Sequence, residues 1–171
     1  MATDTAQLLD NTVQNAGLEQ ALIEEIKTVG RLKKVPAGEV VIGPQSEGKE
    51  MPFVLSGTLK VMRADAEGNE VFLYFLEGGE TCAMSIACCL EGKKSAFHVR
   101  AEEDAVLWMI PMHLLDGWVE RYPNFRKFVF VAYQARFDEL LNTIESVVFL
   151  KMDERLYKYL LDKKQASGSF T

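Results

Sequence analysis

Between Leu32 and Pro111 the chain alternates short runs of β-branched and aromatic residues with turn chemistry, and no other feature restricts its fold as tightly. The runs predict strands over 40–42, 52–55, 57–63, 70–76, 96–101 and 105–111. Pro36-Ala-Gly38, Gly43-Pro44, Glu67-Gly68-Asn69 and Glu77-Gly78-Gly79 punctuate them with residues that tolerate tight or left-handed turns. Segments 58–62 and 70–74 flank the Glu67-Gly68-Asn69 corner as a hairpin. Many short strands without long helices between them predict a sandwich, roll or barrel.

Both flanks carry a helical period instead. Leu18, Leu22 and Ile26 recur every four residues among charged neighbours, with Gly30 as a stop, and a weaker helix precedes them over 7–14. After Pro111, residues 113–119 predict a short helix ending before Pro123, and 124–150 a long one. In the long segment Phe130, Phe137 and Ile144 lie seven apart, with Tyr133, Leu140 and Val147 offset by three. That is an a/d seam, and Leu141 and Val148 widen it. It predicts a homodimer through the long helix; the alternative is a helix packed on its own sheet. Residues 152–164 predict a further helix, and 165–169 a linker before Phe170-Thr171, which reads as the start of a strand. Three parts are therefore expected: residues 1–120, 121–150 and 151–171.

Composition removes several functions. The formal net charge of −6 disfavours an electrostatic grip on DNA or on an anionic membrane. No apolar run approaches the roughly 20 residues of a membrane helix, and the N-terminus lacks a signal-peptide layout, so a cytoplasmic protein is expected. Three cysteines, Cys82, Cys88 and Cys89, cannot make a disulfide framework. They are redox candidates, or small buried apolar residues. Two histidines, His98 and His113, do not suffice for a cupin-like metal centre, so no metal site and no catalytic residues are assigned. No cofactor motif stands out. Gly79 and Glu80 lead into the small residues Cys82, Ala83 and Met84, which read either as an anion cradle or as a tight turn into a buried helix.

The order of the pieces resembles the Crp/Fnr family of bacterial transcriptional regulators. The resemblance rests on Pro36-Ala-Gly-Glu-Val-Val-Ile42, Phe53-Val-Leu-Ser-Gly-Thr-Leu-Lys-Val61, Glu67-Gly-Asn-Glu70, Leu76-Glu-Gly-Gly-Glu80 and Ser95-Ala-Phe-His-Val-Arg-Ala101, followed by the long helix. It implies a mainly β fold with flanking helices: a double-stranded β-helix, jelly-roll-like, followed by a dimerisation helix. It also implies an effector-sensing domain, with residues 151–171 opening a winged helix-turn-helix whose recognition helix, and hence any DNA contact, is missing from this chain.

The family's usual cyclic AMP site does not carry over. Where such members hold the ribose with Glu and the cyclic phosphate with Arg, this chain has Ala83, Met84 and then Lys94-Ser95. A thioether is a weak acceptor, and Lys lacks the bidentate fork of Arg. Leu140 and Leu141 occupy the positions of the hydroxyl residues near the purine. Gly79, Glu80, Cys82, Ala83, Met84, Lys94, Ser95, Leu140 and Leu141 are thus the candidate pocket for an unidentified small-molecule effector. Two other readings stand beside this one: a free-standing cyclic-nucleotide-type module that controls a partner protein, and a cupin-like metalloenzyme.

Overall fold

The computed structural model describes residues 2–43, 49–65, 67–86, 97–149, 157 and 159–161. Helices α1 (Ala2–Asn15) and α2 (Gln20–Val29) come first. Seven strands follow: β1 (Arg31–Val35), β2 (Val40–Ile42), β3 (Glu50–Ser56), β4 (Leu59–Ala64), β5 (Glu70–Leu76), β6 (Phe97–Ala101) and β7 (Ala105–Pro111). A 3₁₀ turn at Met112–Leu114 then leads to α3 (Leu115–Arg121) and α4 (Pro123–Phe149). The chain divides into two compact units, Met1–Tyr133 and Gln134–Thr171. The helix expected over 152–164 is described only at 157 and 159–161, and the linker and final strand lie outside the described residues.

All strand pairs are antiparallel, in two sheets of order β1-β7-β3 and β2-β6-β4-β5. The roll interior lies between them. Val54 of β3 and Ala105, Leu107 and Met109 of β7 meet Leu59 and Val61 of β4, Tyr74 and Leu76 of β5, and Phe97, Val99 and Ala101 of β6. The first sheet is covered on its other face too. Met51, Phe53 and Leu55 of β3 and Ile110 of β7 turn away from the roll interior and pack with Leu22, Ile23 and Ile26 of α2, Trp118 of α3 and Phe125 and Val129 of α4. Covering both faces is why β3 reads Met-Pro-Phe-Val-Leu without alternation, while β4 of the second sheet sets the half-buried Lys60 between the buried Leu59 and Val61. Pro52 is tolerated because β3 is an edge strand.

Two local devices fix the corners. The β4–β5 hairpin turns on Asp65, whose Oδ1 accepts from the backbone N–H of Glu67 (2.9 Å) and Asn69 (2.8 Å). The side-chain and backbone hydrogen bonds from Asn69 hold the Asp65 carboxyl below its ordinary pKa. Gly57, at φ +82°, lets β3 pass into β4 against the start of β7: a Cβ there would lie 2.5 Å from the Asp104 carbonyl oxygen and 2.7 Å from Ala105 Cα.

The predicted strands and long helix match the observed elements closely, and β1 is the strand that the residue pattern missed. Arg-Leu-Lys-Lys-Val carries three basic residues because β1 is a sheet edge, where charge blocks further pairing. Arg31 and Lys33 are tied to Glu50 and Glu39.

Candidate functional site

The glycine pair after β5 forms a closed turn. Gly79 takes φ +92°, its N–H donates to the Val54 carbonyl (2.9 Å), and the Glu80 N–H donates to the Glu77 carbonyl (3.0 Å). The Glu80 carboxylate accepts from the Glu77 N–H (2.9 Å), and the Glu80 carbonyl accepts from Val54 N–H (3.0 Å). Those N–H groups are therefore committed within the chain and cannot cradle an anion. This is the tight turn into a buried helical segment; an anion cradle would use the N–H groups of the small residues Cys82, Ala83 and Met84, which these bonds do not occupy. Thr81 then bridges Phe53, and its hydroxyl donates to the Pro52 carbonyl (3.0 Å).

Residues 83–86 make a helical turn, with Ser85 N–H donating to the Cys82 carbonyl (3.0 Å). Cys82, Ala83, Ser85 and Ile86 are buried, and Met84 packs partly on the roll core. The Cys82 thiol is fully enclosed. Its Sγ is 3.8 Å from the Tyr74 hydroxyl. Burial pushes the thiol pKa above its ordinary value, and hydrogen bonds from Ser85, Tyr74 and the Met84 backbone only partly oppose that. Raised pKa and enclosure both suppress the thiolate on which cysteine chemistry depends. Cys88, Cys89, Lys94 and Ser95 lie outside the described residues.

Two tyrosines that sequence reasoning left out of the pocket hold this segment. Tyr74 comes from β5. Tyr133, included in the a/d seam, is half-buried on the core shared with α2 and β3, and its hydroxyl donates to the Ala83 carbonyl at 2.8 Å. The seven-residue period signalled an apolar face at 133 but not which surface it covers. Phe130, Phe137, Leu140, Leu141 and Ile144 are exposed, Phe130 to 68% and Phe137 to 59%. The Val147 side chain is outside the description.

The start of α4 is fastened to α2. Glu19 Oε1 accepts from the Asn124 N–H (2.7 Å) at the first turn, satisfying a donor that the helix itself cannot. Glu25 accepts from Trp118 Nε1 (2.7 Å), the Arg121 guanidinium (3.1 Å) and the Tyr122 hydroxyl. The Tyr122 and Arg121 hydrogen bonds hold the Glu25 carboxyl below its ordinary pKa.

His98 is buried on β6. Its Nε2 is 3.0 Å from Glu70 Oε1 but out of line for a hydrogen bond, and His113 is exposed. Among the described residues no group of three His, Cys, Asp or Glu is placed to hold a metal ion, and no helix is long and apolar enough to cross a membrane.

Comparison with known proteins agrees with this geometry. Residues 32–122 match the cyclic nucleotide-binding domain family. No curated protein matches the sequence. Among solved structures, one similar chain is a Eubacterium rectale protein assigned to the Crp/Fnr family of transcriptional regulators, with TM-score 0.77 and 23% identity over 90% of this chain and 71% of that one. Another is the c-di-GMP-responsive global regulator CLP of Xanthomonas campestris, with TM-score 0.75 and 16% identity over 90% and 76%. The catabolite activator protein of Thermus thermophilus gives TM-score 0.61 and 20% identity over 78% and 62%. The chain belongs to the cyclic nucleotide-binding domain family and is built on the β-roll and long following helix seen in Crp/Fnr transcriptional regulators.

Proposed function

We propose that the chain is the effector-sensing and dimerisation part of a Crp/Fnr-like bacterial transcriptional regulator that does not respond to cyclic AMP in the family's usual way. The observation that carries the sensing role is the roll itself, matched by family and by fold. The departure from cyclic AMP rests on what fills that roll. Its described interior is apolar apart from the hydroxyl of Tyr74 and the thiol of Cys82, and among the described residues the buried polar side chains are Thr81, Ser85 and His98, of which His98 belongs to the outer face of the second sheet. Ala83 and Met84 offer nothing to a ribose hydroxyl.

Dimerisation is proposed through Phe130, Phe137, Leu140 and Ile144 of α4, with Val147 continuing the seam. An exposed apolar stripe at this spacing is what a second helix covers. Tyr133, half-buried with its hydroxyl on the Ala83 carbonyl, is kept at the start of the proposed seam. Lys94, Ser95, Leu140 and Leu141 remain candidates for contact with an unidentified small-molecule effector. In this reading the roll acts on the paired helices as a two-state element, and DNA is read by a helix-turn-helix outside residues 1–171.

Isothermal calorimetry with cyclic AMP and cyclic GMP tests the ligand half. No heat of binding is expected, and micromolar affinity for either nucleotide overturns it. Sedimentation tests the other half: a dimer is expected, and a monomeric chain at micromolar concentration overturns it.

A further inference from the structure

The outer face of the second sheet carries a cluster that the sensing role leaves unused. Val61, Tyr74 and Val99 point into the roll, so their neighbours Lys60, Phe75 and Arg100 point out. Strand register sets Phe75 beside Lys60, Lys60 beside Arg100 and Arg100 beside Val40. This makes one row across four strands, apolar at its ends and doubly cationic at its centre. Three interstrand steps of about 4.8 Å make it roughly 14 Å long. In the next row Phe72 stands beside Met62 and His98, and a bulge in the β4–β5 pairing brings the Phe72 and Phe75 rings to 4.7 Å. Lys60 Nζ lies 5.7 Å from the Phe72 ring centre. Phe72, Phe75 and Val40 are each at least 40% exposed.

Two features show that this face is not a neutral surface. Like charges directly opposite on a sheet are destabilising. This chain carries more acids than bases, with a net charge of −6, yet among the described residues neither Lys60 nor Arg100 has an ion-pair partner. The nearby carboxylate, Glu70, is turned to His98. Exposed aromatic rings beside unneutralised cations are complementary to carboxylates set among apolar side chains. A nucleic acid fits less well, because two cations on an acidic chain neutralise few phosphates.

We propose that the outer face at Phe72, Phe75, Lys60 and Arg100 is a docking site for an acidic, apolar-bearing segment of a partner protein.

Fluorescence anisotropy of the intact chain with a labelled peptide repeating Leu-Glu-Glu tests it. Peptides repeating Leu-Lys-Lys and Ser-Glu-Glu, and a single-stranded DNA oligonucleotide, serve as controls. The Leu-Glu-Glu peptide is expected to bind best, and added salt to weaken it. Lys60→Gln/Arg100→Gln and, separately, Phe72→Ser are each expected to weaken it about tenfold, a change of about 1.4 kcal/mol. All three side chains are at the surface, and circular dichroism of the variants checks that the fold is kept. Equal binding of the controls, preference for the oligonucleotide, or variants that bind like the parent overturns the proposal. A change of oligomeric state in the Lys60→Gln/Arg100→Gln chain also overturns it, assigning the face to contact between copies.

Discussion

Replacing Tyr133 by Phe removes one oxygen atom from the bond between α4 and the candidate site while keeping the ring. The Tyr133 hydroxyl donates to the carbonyl of Ala83, a residue that is only 2% exposed. A typical hydrogen bond contributes about 1 kcal/mol net, and a buried acceptor left without a donor costs up to about 3 kcal/mol. A loss of about 1 to 2 kcal/mol is therefore expected for Tyr133→Phe, or roughly 2 to 8 °C in Tm for a chain of this size. Urea unfolding followed by tryptophan fluorescence measures it. Hydrogen exchange locates it: the Ser85 and Ile86 amides, both bonded to the Cys82 carbonyl, are expected to exchange roughly fivefold to thirtyfold faster by the same energy. Under the proposed function this bond is where an event at 82–86 reaches the long helix. A loss below about 0.5 kcal/mol with unchanged exchange at Ser85 and Ile86 refutes the reasoning, since the bond would then hold neither segment.

Other consequences follow from the same packing. Gly30→Ala puts a Cβ into the Trp108 ring, 2.6 Å from Cδ1, and displaces the indole from its 2.9 Å bond to the Ile26 carbonyl. Overpacking of this kind costs about 1–3 kcal/mol, and urea unfolding with a shifted tryptophan emission reads it. Phe137→Asp or Ile144→Asp is expected to convert a dimer to monomers in sedimentation, with unchanged circular dichroism. Cys82 is expected to react with a thiol reagent at neutral pH only as fast as the chain opens; reaction at the rate of a free thiol would contradict its enclosure. Glu25 has a folded pKa below its ordinary value of 4.5, so its contribution to stability is present above that value and is lost as pH falls through the folded one. Glu25→Gln is accordingly expected to flatten the acid limb of stability against pH.

Residue runs bounded by turn chemistry placed β5 and β7 at their observed bounds, and the seven-residue apolar period gave the long helix to within a residue. Composition alone set the acidic charge and the shortage of metal ligands.

Tertiary structure decided the rest, because partners distant in the chain leave no local pattern. β1 is a strand by virtue of pairing with β7, and its Lys33 and Lys34 look like loop until the edge is seen. The turn at Gly79 and Glu80 closes because its N–H groups are spent within the chain, and Val54, some 25 residues earlier, takes one of them. Tyr133 and Phe137 share one helical stripe in sequence, yet the first is bound to Ala83 and the second is 59% exposed. A stripe records that a helix has an apolar side. Only the packed fold shows which part of that side the chain covers itself and which part it leaves exposed.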